Sequence, residues 1–117
     1  MANTITVNEQ ARVGNQQFQG LYKDIWRVKA TVSDQDAVAI NDTATFTFTV
    51  SGVAVGDHII GYGLTVDLSD GTDQAVPTFL VTAANTVSMY LHADVGEFAA
   101  DALNTGVIKL LIGRPAW

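Results

Sequence analysis

The strongest constraint on the fold is a strict two-residue alternation between Thr43 and Ser51. Phe46, Phe48 and Val50 alternate there with threonines. Successive side chains of a strand point to opposite faces of a sheet, so this segment has one apolar face and one polar face. Threonine suits the polar face because its β-branched side chain fits a pleated sheet. The pattern predicts a half-buried antiparallel strand.

Similar apolar segments recur along the chain from residue 25 onward. The first is an alternating row of Trp26, Val28, Ala30 and Val32. Further predicted strands cover residues 58–68, with an apolar row of Ile60, Tyr62, Leu64, Val66 and Leu68, and residues 77–82, 87–91 and 107–112. Turn signals such as Asp70-Gly71 and Ala84-Asn85 separate them. About seven or eight short strands predict an all-β fold, either an antiparallel β-sandwich or a jelly-roll-like barrel.

Three local features add detail to this pattern. Gly61 and Gly63 lie on one face of their strand, which predicts a bend, a bulge or the close approach of another backbone. Pro77 is placed at the first residue of its strand, where a missing N–H is tolerated. The Ala- and Leu-containing segment from Glu97 to Asn104 is expected to form one or two helical turns, which need packing to be stable.

The first 24 residues differ from the rest. They are polar, rich in Asn and Gln, and interrupted by Gly14 and Gly20. Their main apolar residues, too few for an independent core, are Ile5, Val7, Val13, Phe18, Leu21 and Tyr22. We therefore predict an extended N-terminal arm over residues 1–24 and a β-sandwich domain over residues 25–117. A disordered terminus is the alternative.

Composition excludes several classes of function. The 117 residues contain no cysteine, which excludes disulfide scaffolds and thiolate metal sites. A net charge of −6 without a Lys/Arg run makes nucleic acid and anionic membranes poor partners. No apolar stretch is long enough for a membrane helix and no signal peptide is visible, so we expect synthesis in the cytoplasm. Charged residues make up only 15% of the chain, which suits either a surface covered by assembly or a neutral environmental β-protein.

No catalytic, metal or cofactor site is predicted. His58 and His92 have no second ligand at a useful spacing, and both are interpreted as surface strand residues. The adjacent Asp57 is not a convincing catalytic partner of His58, because neighbouring strand residues point to opposite faces. We therefore expect a protein without enzymatic activity.

Two binding hypotheses remain open at this level. The oxygens of Asp67, Ser69, Asp70 and Asp73 could hold Ca²⁺, although their spacing is not that of an EF-hand and turn formation explains them better. The aromatic residues Trp26, Tyr62, Tyr90 and Trp117 could form a sugar-binding platform. Core or interface packing is the more common role of such side chains.

Three segments carry a resemblance to a known class of proteins. They are the turn Val50–Asp57 (VSGVAVGD), the strand–turn–strand Leu80–Val87 (LVTAANTV) and the closing run Val107–Pro115 (VIKLLIGRP). In this order they resemble small virion structural proteins of tailed bacteriophages, particularly head decoration (cement) proteins of β-sandwich type. The resemblance covers residues 29–115.

The resemblance implies a mechanical role without catalysis. Proteins of this class sit on the outer capsid, commonly as trimers, and clamp neighbouring subunits of the major capsid protein. For this chain it implies a virion location, a homotrimer and contacts through the arm and the C-terminus. The implied interface residues are Ile5, Val7, Val13, Phe18, Leu21, Tyr22 and Trp117.

Two other functions are weighed against this role. A phage tail or fibre-tip module that binds a carbohydrate or receptor would expose an aromatic platform. A small hydrolase would need a site constellation, and the sequence contains none.

Overall fold

The computed structural model describes residues 3–13, 20–65, 69–70, 73–100 and 102–117, and within them the chain is all-β. The strands are β1 (Thr4–Val13), β2 (Tyr22–Asp34), β3 (Thr43–Thr49), β4 (His58–Leu64), β5 (Ser69–Asp70), β6 (Asp73–Ala83), β7 (Thr86–Val95) and β8 (Val107–Pro115). All pairings between them are antiparallel. The predicted β-sandwich is confirmed: seven strands of seven or more residues, with the two-residue β5, form two sheets.

The two sheets have four strands each, in the orders β1-β2-β8-β4 and β3-β7-β6-β5. The last strand, β8, lies between β2 and β4 in the first sheet. Turn signals predict which strands are neighbours in sequence, but they do not predict such a crossing. The crossing matters for function, because it brings the starts of β2 and β4 to either side of the end of β8.

The core lies between the two sheets and follows the predicted alternation. Trp26, Val28, Ala30 and Val32 are buried on β2, and Phe46 and Phe48 are buried on β3. They meet inward residues of the remaining strands, chiefly Phe79, Val81, Val87, Met89, Leu91, Ile108, Leu110 and Ile112. The residues between them on each strand form the outer faces.

Strand β1 belongs to the sandwich. Its residues pair with β2 from Thr4 to Val13. Ile5 is only 7% exposed and is part of the core cluster. The predicted boundary after residue 24 falls inside β2, so the described part of residues 1–24 is continuous with the first sheet.

The predicted irregularity of β4 is confirmed as a bulge. The register against β8 shifts between Ile59 and Gly61. A bulge reverses which side chains face inward. Ile59, which simple alternation places opposite the predicted apolar row, therefore packs against the core, as Leu64 does. Tyr62 pairs with the buried Leu110 and lies on the inner face as predicted, but its side chain is 52% exposed because β4 is an edge strand. Val66 and Leu68 lie outside the described residues.

Pro77 lies inside β6 and not at its first residue. Within the described ranges, β5 pairs only with Asp73 and Gln74, and no other described strand pairs with this edge of β6. An edge strand tolerates proline because the missing N–H breaks no ladder hydrogen bond there. The open edge explains why the prediction of a shorter strand was wrong.

The predicted helical turns between Glu97 and Asn104 are absent from the described residues. Phe98 instead forms an isolated antiparallel bridge with Val38. The backbone N–H of Leu103 donates to Oε1 of the buried Gln35 at 3.1 Å. Burial of Phe98 and Leu103 outweighs the weak helix propensity of the segment. The described part of the chain likewise contains no helix long and apolar enough to cross a membrane.

The molecule is elongated, with dimensions of 43 × 23 × 22 Å. The 13 residues of β2, at about 3.3 Å per residue, span about the same length as the longest dimension. The strands therefore run along the long axis, and the two ends of the sandwich are formed by strand ends and turns.

Candidate functional site

The residues predicted to form an interface occupy different environments. Ile5 is buried and Val7 is partly buried against the core. Phe18 and the side chain of Val13 lie outside the described residues. Leu21, Tyr22 and Trp117, by contrast, lie together at one end of the sandwich. Leu21 is 53% exposed and Trp117 is 75% exposed, which makes this end accessible to a partner.

The accessible residues form a cluster with His58, which we call the aromatic patch: Leu21, Tyr22, His58 and Trp117. The Tyr22 and His58 rings meet edge to face with centroids 5.7 Å apart. Trp117 lies 6.0 Å from Tyr22 and 5.5 Å from His58. The Tyr22 hydroxyl is 3.2 Å from His58 Nδ1, within hydrogen-bond distance. Three rings from three chain segments thus form one surface.

The order of the strands in the first sheet brings these rings together. Tyr22 pairs with Pro115, and His58 pairs with Gly113, so β2 and β4 flank the end of β8. The Ala116 N–H donates to the Leu21 carbonyl at 2.9 Å, which extends the β2–β8 pairing towards Trp117. The C-terminal tryptophan is therefore held beside Tyr22 by a backbone contact.

Gly113 provides the space for the patch. A Cβ atom at this position would lie 2.6 Å from Tyr22 Cδ1 and 2.8 Å from Ile60 Cδ1. Side-chain atoms do not tolerate such distances. The Tyr22 ring therefore packs directly on the β8 backbone, and only glycine permits this.

An ion pair fixes the same end of the sandwich from the inner side. Arg114 Nε and Nη2 donate to the two carboxylate oxygens of Asp57 at 3.1 and 3.0 Å. The Asp57 side chain is almost fully buried. Arg114 Nη2 also donates to the Gly52 carbonyl at 2.8 Å, and the guanidinium lies 5.1 Å from the Trp26 ring centroid. These contacts join β8 to the loop before β4, next to His58.

The hydrogen bond to Asp57 and the charge of Asp57 both favour the protonated form of Arg114. The pKa of Arg114 is raised above its ordinary value, first by the hydrogen bond to Asp57 and then by the charges of Asp57 and Asp24, against an opposing effect of desolvation. A bidentate arginine–carboxylate pair also fixes geometry. The aromatic patch thus rests on a rigid support.

His58 is the member of the patch that sequence reasoning missed. The sequence indicates only that His58 is a surface strand residue, and His58 is indeed exposed on β4. Its proximity to Tyr22 and Trp117 depends on β8 lying between β2 and β4. The sequence signal for this proximity is weak: His58 begins β4, and Trp117 follows β8.

A second feature lies on the outer face of the first sheet, about halfway along the strands. Glu9, Arg27, Lys29 and Lys109 surround a depression of about 310 Å³, which we call the cationic groove. Lys29 and Lys109 are direct cross-strand partners. Lys29 Nζ lies 3.7 Å from Glu9 Oε2. Arg27 and Lys109 have no ion-pair partner among the described residues.

A third feature is a shallow groove between β4 and β6, where each sheet has an open edge. Its volume is about 500 Å³, and Tyr62, Pro77 and Phe79 are among its lining residues. The Tyr62 and Phe79 rings lie 5.0 Å apart. This ring contact partly closes the sandwich along its side.

The other binding hypotheses find less support. Trp26 is buried in the core, so it cannot contribute to a sugar-binding platform. No group of three or more His, Asp or Glu side chains is arranged to hold a metal within the described ranges. In the Ca²⁺ hypothesis, Asp67 and the side chains of Ser69, Asp70 and Asp73 lie outside the described residues.

Comparisons with family models, with curated proteins and with solved structures found no match for this chain.

Proposed function

We propose that the chain is a capsid decoration protein that binds the outer head surface of a tailed bacteriophage and stabilises the shell through protein–protein contacts. The partner is the major capsid protein of the same virus, and the protein acts as a homotrimer on the virion. The proposal combines the resemblance of the turn and strand segments with one structural observation. That observation is the aromatic patch.

The aromatic patch has the properties of a protein contact surface. Tryptophan and tyrosine are enriched among the residues that dominate binding energy at interfaces. Leu21 and Trp117 each expose more than half of their surface, so burying them against a capsid subunit removes apolar area from water. The ion pair between Arg114 and Asp57 holds the patch in place before binding. Such pre-organisation lowers the entropic cost of association.

Co-sedimentation with heads prepared without the protein tests the proposal. The expected result is saturable binding at a fixed number of copies per capsid subunit. Absence of binding to both immature and mature heads would contradict it.

A carbohydrate- or receptor-binding module of a tail or fibre tip is the second candidate. The exposed Trp117 ring favours it, because an accessible aromatic face can stack on a sugar ring. Absence of head binding, together with glycan binding that Trp117→Ala abolishes, would replace the first proposal with this one.

A further inference from the structure

Charge is distributed very unevenly over the molecule. All six basic residues lie on β1, β2 and β8 of the first sheet: Arg12, Lys23, Arg27, Lys29, Lys109 and Arg114. Only three of the twelve acidic residues lie on these strands: Glu9, Asp24 and Asp34. Of the other nine, those that the structure describes are on the second sheet and in the loops. A net charge of −6 therefore conceals a local excess of positive charge.

Five acidic residues lie at the end of the molecule opposite the aromatic patch. Asp34 is the last residue of β2, Asp42 precedes β3, and Asp94 is near the end of β7. The Ala93 N–H donates to the Asp42 carbonyl at 3.0 Å, which joins the end of β7 to the start of β3. The bridge between Val38 and Phe98 joins the loop after β2 to the loop after β7. Asp36 and Glu97 lie in the adjoining loops. We call these five residues the acidic end.

The cationic groove is lined by basic side chains, so its charge is complementary to that of the acidic end. Arg27 and Lys109 line it and have no ion-pair partner in the described part of the chain. The direct pairing of Lys29 with Lys109 places like charges opposite each other, which destabilises an isolated sheet. The exposed Glu9 offsets only part of this repulsion, because its distance to Lys29 is 3.7 Å and such surface pairs are weak. An anionic partner would relieve the repulsion.

We infer that the occupant of the cationic groove is the acidic end of a second copy of this chain. Charge complementarity within one sequence supports this occupant. The groove lies on the side of the molecule and the acidic end lies at its tip, so the contact joins two different surfaces. Such a heterologous contact closes into a ring when the rotation between copies permits it. The inference specifies the self-contact within the proposed assembly, yet it can be tested without capsids.

A charge-swap experiment with the purified protein tests this contact. One variant carries Arg27→Glu and Lys109→Glu, and the other carries Asp94→Lys and Glu97→Lys. All four side chains are exposed and form no ion pair with another residue that the structure describes, so both variants should fold. Each variant should associate at least about tenfold more weakly than the wild type, whereas a chain that carries all four substitutions should recover association because its two reversed surfaces match.

Analytical ultracentrifugation at two salt concentrations supplies the readout. Raising ionic strength from about 0.01 M to about 1 M shortens the screening length from about 30 Å to about 3 Å, so the wild-type assembly should dissociate. The control variant Thr47→Glu/Thr49→Glu adds negative charge on the outer face of β3, towards the end of the strand that is farther from Asp42, and should associate like the wild type.

Three results would overturn the inference: a wild type that is monomeric at low salt, an assembly that resists salt, or a chain with all four substitutions that fails to recover association. Head binding by a protein that does not associate with itself in this way would overturn only this inference. Self-association without head binding would overturn only the proposed function.

Discussion

At the scale of single residues, Arg114 carries the most consequential set of contacts. It neutralises a buried carboxylate, binds the Gly52 carbonyl and lies over the Trp26 ring. Because its pKa is raised on folding, this cation contributes stability at all pH values below its ordinary pKa. That contribution is lost only when the pH rises through the raised value of the folded state. Stability from this source is therefore constant across the physiological range.

Arg114→Met should lower the free energy of unfolding by about 3 kcal/mol, because Asp57 would remain buried without its cation. Urea denaturation provides the measurement, and Lys109→Met on the same strand is the exposed control. Adding Asp57→Asn should recover part of the loss. If Arg114→Met and the control had the same small effect, the supporting role of the ion pair would be refuted.

Gly113→Ala should cost about 1–3 kcal/mol of stability, because the added methyl group overlaps the Tyr22 ring. The matched control is Gly63→Ala on the neighbouring strand, where an added Cβ meets nothing within 4 Å. Chemical denaturation of both variants gives the comparison. Equal stability of the two would show that Tyr22 does not pack on the β8 backbone.

Among the secondary-structure elements, β1 makes the described N-terminal residues part of the sandwich through its pairing with β2. Ile5→Ala should destabilise the protein by about 2–4 kcal/mol, as expected for a truncated core residue. The exposed Thr6→Ala on the same strand should cost about 0.5 kcal/mol or less. Thermal or urea unfolding of the pair measures the difference. A negligible effect of Ile5→Ala would mean that β1 is not integral to the folded core.

The sequence correctly predicts the features that depend on a single strand. The alternation of Phe46 and Phe48 with threonine defined an inward face without any knowledge of the partner strands. The predictions from sequence are wrong where the local structure depends on a neighbouring strand or segment. The β4 bulge turns Ile59 inward, and the bridge between Phe98 and Val38 replaces helical turns. The aromatic patch was predicted only in part, because the order of β2, β8 and β4 is a property of the whole sheet.

At the scale of the whole molecule, the two ends of the sandwich have different chemistry. One end presents Leu21 and Trp117 beside the other rings of the aromatic patch, and the opposite end is acidic. Strands that run along a 43 Å axis keep these surfaces apart. In the proposed assembly, one copy therefore binds the capsid through the aromatic patch while its acidic end and cationic groove contact other copies. The two kinds of contact do not compete for the same surface.

The affinity of matched leucine variants for capsids is the most direct test of the central claim, that the aromatic patch binds the head. Leu21 and Leu80 are 53% and 51% exposed, but only Leu21 belongs to the patch. We expect Leu21→Ala, and more strongly Leu21→Ala/Trp117→Ala, to weaken binding to heads by about tenfold or more, while Leu80→Ala binds like the wild type. Equal binding by all three variants, each shown to be folded, would contradict it.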